Sequence, residues 1–116
     1  MKWLYIIDPL ENLNPDTDTT YPVMVESQKR GIETHFASLA DLYFSSEARV
    51  NSHQIHFDQK QYFIGNKENL SLDEFEIIHM RKEPPYDLSF HYATCLLSLT
   101  QATVVNRPQA LRDQNE

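Results

Sequence analysis

Glycine is nearly absent from this chain. Gly31 and Gly65 are the two glycines among 116 residues. A Walker-type phosphate loop and a glycine-x-glycine-x-x-glycine dinucleotide fingerprint both need more, so neither can be built. Cysteine is rarer still. Cys95 stands alone, which rules out an internal disulfide and suits a reducing cytoplasm without requiring one. Basic residues are in deficit, with ten Lys and Arg against seventeen Asp and Glu and a net charge of -7. A general nucleic-acid binder needs a basic face, and this balance argues against one. Long apolar runs are missing too. After Lys2, the run Trp3 to Ile7 ends at Asp8, too short for the core of a signal peptide or for a membrane span. No low-complexity tract or internal repeat is present.

What remains is the composition of a globular protein, 41% hydrophobic, at a length that makes residues 1–116 one domain with a sizeable core. Trp3 to Ile7 reads as a strand buried on both faces. A polar loop, Glu11 to Asp18, follows it. Asp18 or Thr19 is placed to cap a helix, and Pro22 suits the helix's first turn. Tyr21, Met24, Val25 and Gln28 share one face of it, with Glu26, Lys29 and Arg30 largely opposite. Gly31 is a helix stop, and Ile32 to Ala37 reads as a second strand. A strand-helix-strand opening predicts a parallel pair.

The middle changes character. Ser38 is placed to cap a short turn, Leu39 to Tyr43. Val50 to Phe57 and Tyr62 to Asn66, around Asp58-Gln59-Lys60-Gln61, predict a hairpin or an antiparallel excursion at a sheet edge. Ser71 begins another cap-like turn, and Ile77 to Arg81 is the next core strand. Asp87 is placed to cap a helix from about Leu88 to Thr100. Two apolar stripes run along that helix: Phe90, Ala93 and Leu97, then Tyr92, Cys95, Leu96 and Leu99. Apolar over so much of its circumference, the helix is expected to be buried on more than one side, against the sheet and against a second subunit or a further part of the protein. Cys95 is accordingly expected to be a small core residue. Thr103 to Asn106 is a last short strand. The alternation of strands and helices predicts an α/β fold, a three-layer sandwich with a mostly parallel sheet and an antiparallel hairpin excursion.

The richest stretch is Met80-Arg81-Lys82-Glu83-Pro84-Pro85-Tyr86-Asp87. The prolines cannot donate ladder hydrogen bonds, so the strand before them must stop. Arg81 and Lys82 are thereby left near a strand's carboxyl end, the usual place for ligand groups in an open α/β sheet. The competing reading is a surface pair facing Glu83 or Asp87. Asp18-Thr19-Thr20 stands at a helix amino terminus, where free N–H groups and hydroxyls favour an anion. The competing reading there is simple capping, which needs one of the three residues. Asp18 would repel a carboxylate, so it caps or meets an amine. The histidines His35, His53, His56, His79 and His91 do not make a metal site by spacing: His53-x-x-His56 lacks an acidic or Cys partner, and in a strand the two point to opposite faces. Asp8 after the first strand suggests a receiver-domain phosphoacceptor, but the acidic pair and later Lys of such a domain are not apparent.

The octet resembles a Met-Arg-Lys-Asp-Pro-Pro-Phe-Asp stretch of the amino-terminal domain of bacterial glutathione synthetase, an ATP-grasp ligase. The tail from Val104 to Glu116, with Asn106-Arg107-Pro108, Leu111-Arg112-Asp113 and Asn115-Glu116, is similar to a second stretch of that family. Asp8-Pro9-Leu10, Asp18-Thr19-Thr20 and Glu26 to Gly31 resemble its opening. The resemblance runs from about Trp3 to Glu116 in the family's order. It implies a Rossmann-like pre-ATP-grasp domain and a parent enzyme that joins γ-glutamylcysteine to glycine with ATP and magnesium, in the cytoplasm. It also implies that ATP and magnesium are held mainly outside this chain, which contributes no catalytic or metal-binding residue. Asp18, Thr19, Thr20, Arg81 and Lys82 are the expected substrate-binding residues, arginine pairing carboxylates bidentately and lysine acting as a point charge. The segment from Asn106 to Glu116 is expected to be the hinge into the ATP-binding half, Arg112 and Asp113 making helix-end polar contacts. A homo-oligomer is expected, with no nucleic acid or membrane as partner. The stop at Asn115-Glu116, inside a helix-like segment, favours a piece of a longer polypeptide that is inactive alone. The alternative is a free-standing, non-catalytic binding or interaction module of the same fold.

Overall fold

A computed structural model describes residues 1–8, 10, 20–58, 61–81 and 87–106, with backbone alone at Ser89 and Asn106. Seven strands and two α-helices follow in the order β1 (Lys2–Ile6), α1 (Thr20–Lys29), β2 (Glu33–Ala37), β3 (Leu42–Ser45), β4 (Glu47–Asp58), β5 (Gln61–Ser71), β6 (Ile77–Met80), α2 (Leu88–Leu97) and β7 (Thr103–Asn106). One sheet carries them all, in the order β3-β4-β2-β1-β6-β7, with β5 on the free side of β4. β2, β1, β6 and β7 form a parallel block. β4 runs antiparallel to β2, β3 and β5.

β1 is the centre of the block, and its alternation sorts the two cores. Leu4 and Ile6 point to one face, where they meet Ala93 and Leu97 of α2. Tyr5 and Ile7 point to the other, where they meet Met24 of α1. The helices therefore cover opposite faces, which is the three-layer α/β sandwich expected from the alternation of elements. α1 ends as its sequence demands. Gly31 adopts φ +80°, the N–H of Ile32 donates to the Ser27 carbonyl at 3.1 Å, and that of Gly31 to Gln28 at 2.9 Å. This is a Schellman closure around a residue without a Cβ. α2 begins at Asp87, whose Oδ1 accepts the N–H of Phe90 at 3.2 Å.

The antiparallel region is larger than a hairpin at an edge. β4 is twelve residues long and pairs with β3 through its first half and with β2 through its second. Its early even residues Ala48 and Val50 enter the α2-side core, and its later odd residues Ile55 and Phe57 enter the α1-side core. The alternation never breaks; the face that is covered changes along the strand. The turn after Ser38 closes at Asp41, because Leu42 already pairs with Val50. The Ser71 turn forms as expected, with its hydroxyl accepting the Asp73 N–H.

Two expectations for α2 need correction. The helix stops at Leu97, not near Thr100, because Asp73 Oδ1 takes the Thr100 hydroxyl at 2.7 Å and the Gln101 N–H at 2.8 Å and turns the chain toward β7. The stripe through Tyr92, Cys95 and Leu99 is not buried on this domain: Tyr92 and Leu99 are each 60% exposed, and Cys95 is exposed rather than a core residue. The sheet receives one face of the helix, through Ala93 and Leu97, and no other described element covers the opposite face.

Candidate functional site

Of the connections in the parallel block, β1-α1-β2 leaves to one side of β1 and β6-α2-β7 to the other. The carboxyl ends of β1 and β6 thus flank a topological switch point, the position where open α/β sheets hold ligands. Arg81 lies there. Its N–H donates to the Ile6 carbonyl at 2.9 Å, continuing the β1–β6 ladder by one residue. Its Nε donates to Oγ1 of Thr20 at 2.8 Å. Thr20 is the first residue of α1 and is buried. Two residues expected at the site, 61 positions apart, are therefore in direct contact, and the guanidinium is tied to the amino-terminal end of a helix. Asp18, Thr19 and Lys82 lie outside the described residues, as does the segment after Asn106 with Arg112 and Asp113. Asp8 sits half-buried just past β1.

Beneath Arg81, on the α1 face, lies an aromatic stack the sequence reading does not anticipate. The ring of His79 is parallel to that of Tyr5, with centroids 4.4 Å apart and an interplanar angle of 5°. Trp3 packs against His79, with ring centroids 5.1 Å apart. Burial, assisted by the Arg81 charge, pushes the His79 pKa down to about 4, so the ring is neutral near pH 7. The Tyr5 pKa is raised because burial outweighs the opposing effects of the Ser27 hydrogen bond and the Arg81 charge. The Tyr5 hydroxyl lies 2.5 Å from Ser27 Oγ, and Ser27 donates onward to the Val23 carbonyl at 3.0 Å. One signal for this cluster was present: Tyr5 in β1, and His79 and Arg81 on and just past β6, share the parity of one sheet face.

The arrangement is a cation held at a strand end over a neutral, largely buried ring stack, beside the first residue of α1. It suits an anionic group such as a carboxylate. The remaining histidines do not join it. His53 Nδ1 is 2.9 Å from the Gly65 carbonyl and its ring stacks on Phe36, while His56 is exposed. His35 is held between Ser52 and Glu33. Two shallow grooves flank α2, one lined by Leu39, Leu42, Tyr92 and Leu96, the other by Leu97, Ala102 and Val104 among others. Neither includes Thr20 or Arg81.

Fold and geometry together define an open-sheet α/β domain with an arginine held at its switch point. The family described as prokaryotic glutathione synthetase, N-terminal domain, matches residues 1–112, and the chain belongs to it. Among individual proteins, the chain is similar to the glutathione synthetase of Salmonella typhimurium, 37% identical over 118 residues that cover 96% of this chain and 38% of the relative. It is equally similar to that of Citrobacter rodentium, with the same identity and coverage. The glutathione synthetase of Shigella flexneri is 36% identical over 119 residues, covering 96% of this chain and 37% of the relative. The chain thus spans little more than a third of the length of the curated relatives it matches. Among the described residues, no helix is long and apolar enough to cross a membrane.

Proposed function

We propose that this chain is the substrate-binding and subunit-contact domain of a glutathione synthase. The parent enzyme ligates γ-glutamylcysteine to glycine with ATP hydrolysis in the cytoplasm and works as a homo-oligomer. Arg81 binds a carboxylate of the peptide substrate at the switch point, Thr20 holds the guanidinium in place, and Asp18, Thr19 and Lys82 are further substrate-binding residues. ATP and magnesium are bound mainly by the remainder of the polypeptide. Spanning little more than a third of its relatives' length, this part alone is expected to be inactive as a ligase.

The observation that carries the reading is the Arg81 Nε–Thr20 Oγ1 bond at the β1–β6 switch point, in a chain of this family. The test is steady-state kinetics of Arg81→Ala in a full-length enzyme carrying this domain. A charge-assisted hydrogen bond is worth about 1.5–3 kcal/mol, so KM for γ-glutamylcysteine should rise roughly 10- to 100-fold while KM for ATP stays unchanged. Unchanged dependence on the peptide would reject the assignment. Release of ADP by this chain alone, dependent on γ-glutamylcysteine and glycine, would reject its inactivity.

A further inference from the structure

Among the described residues, the buried side-chain polar atoms that lack a hydrogen-bond partner are Trp3 Nε1, Tyr21 Oη and His79 Nε2. Two of them belong to the ring stack beneath Arg81, where Trp3 packs against His79. A buried polar atom without a partner is costly, and a native structure that keeps one calls for a reason. Packing does not supply it at position 79. A phenylalanine would stack on Tyr5 equally well and would bury no orphaned nitrogen. What histidine adds there is a site for a proton.

Burial and then the Arg81 charge hold the ring neutral, with a pKa of about 4. The flanking strands place Tyr5 and Val105 beside it in register, and the Tyr5 hydroxyl is bonded to Ser27. α1 buries Thr20, Met24 and Ser27, all uncharged. Asp8 stands at the same edge, past the end of β1. An anion at Arg81 changes this balance. The guanidinium is tied to β1 through its backbone and to Thr20 through Nε, so it stays where it is and its charge is cancelled there. The repulsion it exerts on an imidazolium is removed, and the anion attracts one. Anion binding and proton binding therefore favour each other, each by the same factor.

We propose that His79 is a positioning residue acting through Arg81: a carboxylate that pairs with the guanidinium draws a proton from solvent onto His79, and the imidazolium adds its charge to the hold on the carboxylate. The inference rests on the proposed role of Arg81 and adds the proton as a third participant in peptide binding. The proton comes from bulk water and returns to it when the peptide leaves. Peptide affinity should therefore rise as pH falls toward the range in which His79 titrates.

The experiment is histidine NMR on a full-length enzyme carrying this domain, with and without saturating γ-glutamylcysteine, paired with calorimetric titration of the peptide at several pH values. The His79 signal is assigned by its loss in His79→Phe, or in His79→Gln should the first variant not fold. The expected result is a His79 titration that moves upward when the peptide binds, each pKa unit corresponding to about a tenfold gain in affinity at low pH. His79→Phe should bind the peptide as the parent does at pH values where the ring is neutral, and should lose the gain on acidification. A His79 titration that the peptide does not move would overturn the proposal, as would the same pH dependence of affinity in both proteins. Weaker binding by His79→Phe at every pH would make the ring a packing element and overturn it too. Arg81→Ala separates this inference from the reading beneath it. If that variant binds the peptide as the parent does, the role of Arg81 fails and the proposal with it. If it binds weakly while the His79 titration in the parent stays put, the proposal alone fails.

Discussion

The link between β1 and α1 makes an uncommonly sharp prediction, because its proton order is determined. Ser27 Oγ donates its one proton to the Val23 carbonyl, so the Tyr5 hydroxyl must be the donor to Ser27. Tyr5 and Ser27 are both buried, and water cannot substitute for either. Tyr5→Phe deletes one hydrogen bond and leaves Ser27 still bonded to Val23, at a cost of about 0.5–1.5 kcal/mol. Ser27→Ala leaves the phenol buried with no other acceptor among the described residues, a cost of about 1–3 kcal/mol, offset by roughly 0.5 kcal/mol of better helix propensity. Once Ser27 is alanine, Tyr5→Phe no longer removes a bond. It removes an orphaned hydroxyl and should restore about 1–3 kcal/mol. The same substitution is thus destabilising in one background and stabilising in the other. Urea unfolding of the four proteins at pH 7 measures this directly. Additive effects, or a Tyr5→Phe change of the same sign in both backgrounds, would refute the assigned proton order.

Two further outcomes follow from the fold. His79 is neutral in the fold because its pKa is pushed down to about 4, while the unfolded chain titrates near 6.5; stability is complete above about pH 6.5 and declines as pH falls toward 4, by roughly 1–3 kcal/mol after allowance for solvent at a half-buried ring. His79→Phe, which keeps the stack on Tyr5, should flatten urea midpoints across that window, and an unchanged slope would show that His79 is not the group responsible. Gly31→Ala meets no atom within 4 Å, so its cost is backbone strain alone at φ +80°, about 1–2 kcal/mol; Gly31→Asn should cost less, and equal stability of the Ala variant and the parent chain would contradict the Schellman closure.

Much of the fold was legible because its punctuation is chemical. Gly31 ends α1 and Asp87 starts α2, each through a local rule about φ or hydrogen-bond donors. What local rules do not contain is which face another element covers. β4 alternates throughout, but its buried set passes from Ala48 and Val50 to Ile55 and Phe57 because the covering layer changes sides. That change made a twelve-residue central strand read as a short mixed one, and it hid β3, which exists by pairing with β4's first half. Cys95 on the outer stripe of α2 was misread for a related reason. Apolar character shows that a face wants covering, and Cys95 was assigned to a core that this domain does not supply.

The site was legible in pieces and not as a whole. The octet placed Arg81 at a strand end, and Asp18-Thr19-Thr20 marked a helix start, each from its own neighbourhood. Their contact is a property of topology. β6 returns beside β1, whose next element is α1, so the residue just past β6 and the first residue of α1 arrive at one edge from 61 positions apart. Parity then chooses the face, because Arg81 follows His79 on the Tyr5 side while Met80 faces α2. His79 illustrates the limit of residue-type reasoning. Counted among five histidines it invited a metal reading, yet stacking on Tyr5 and proximity to Arg81 make it a neutral platform. The guanidinium is held by a backbone bond to β1 and a side-chain bond to α1. Its direction is therefore set jointly by the two elements that diverge at the switch point, and neither motif carries the site without the other.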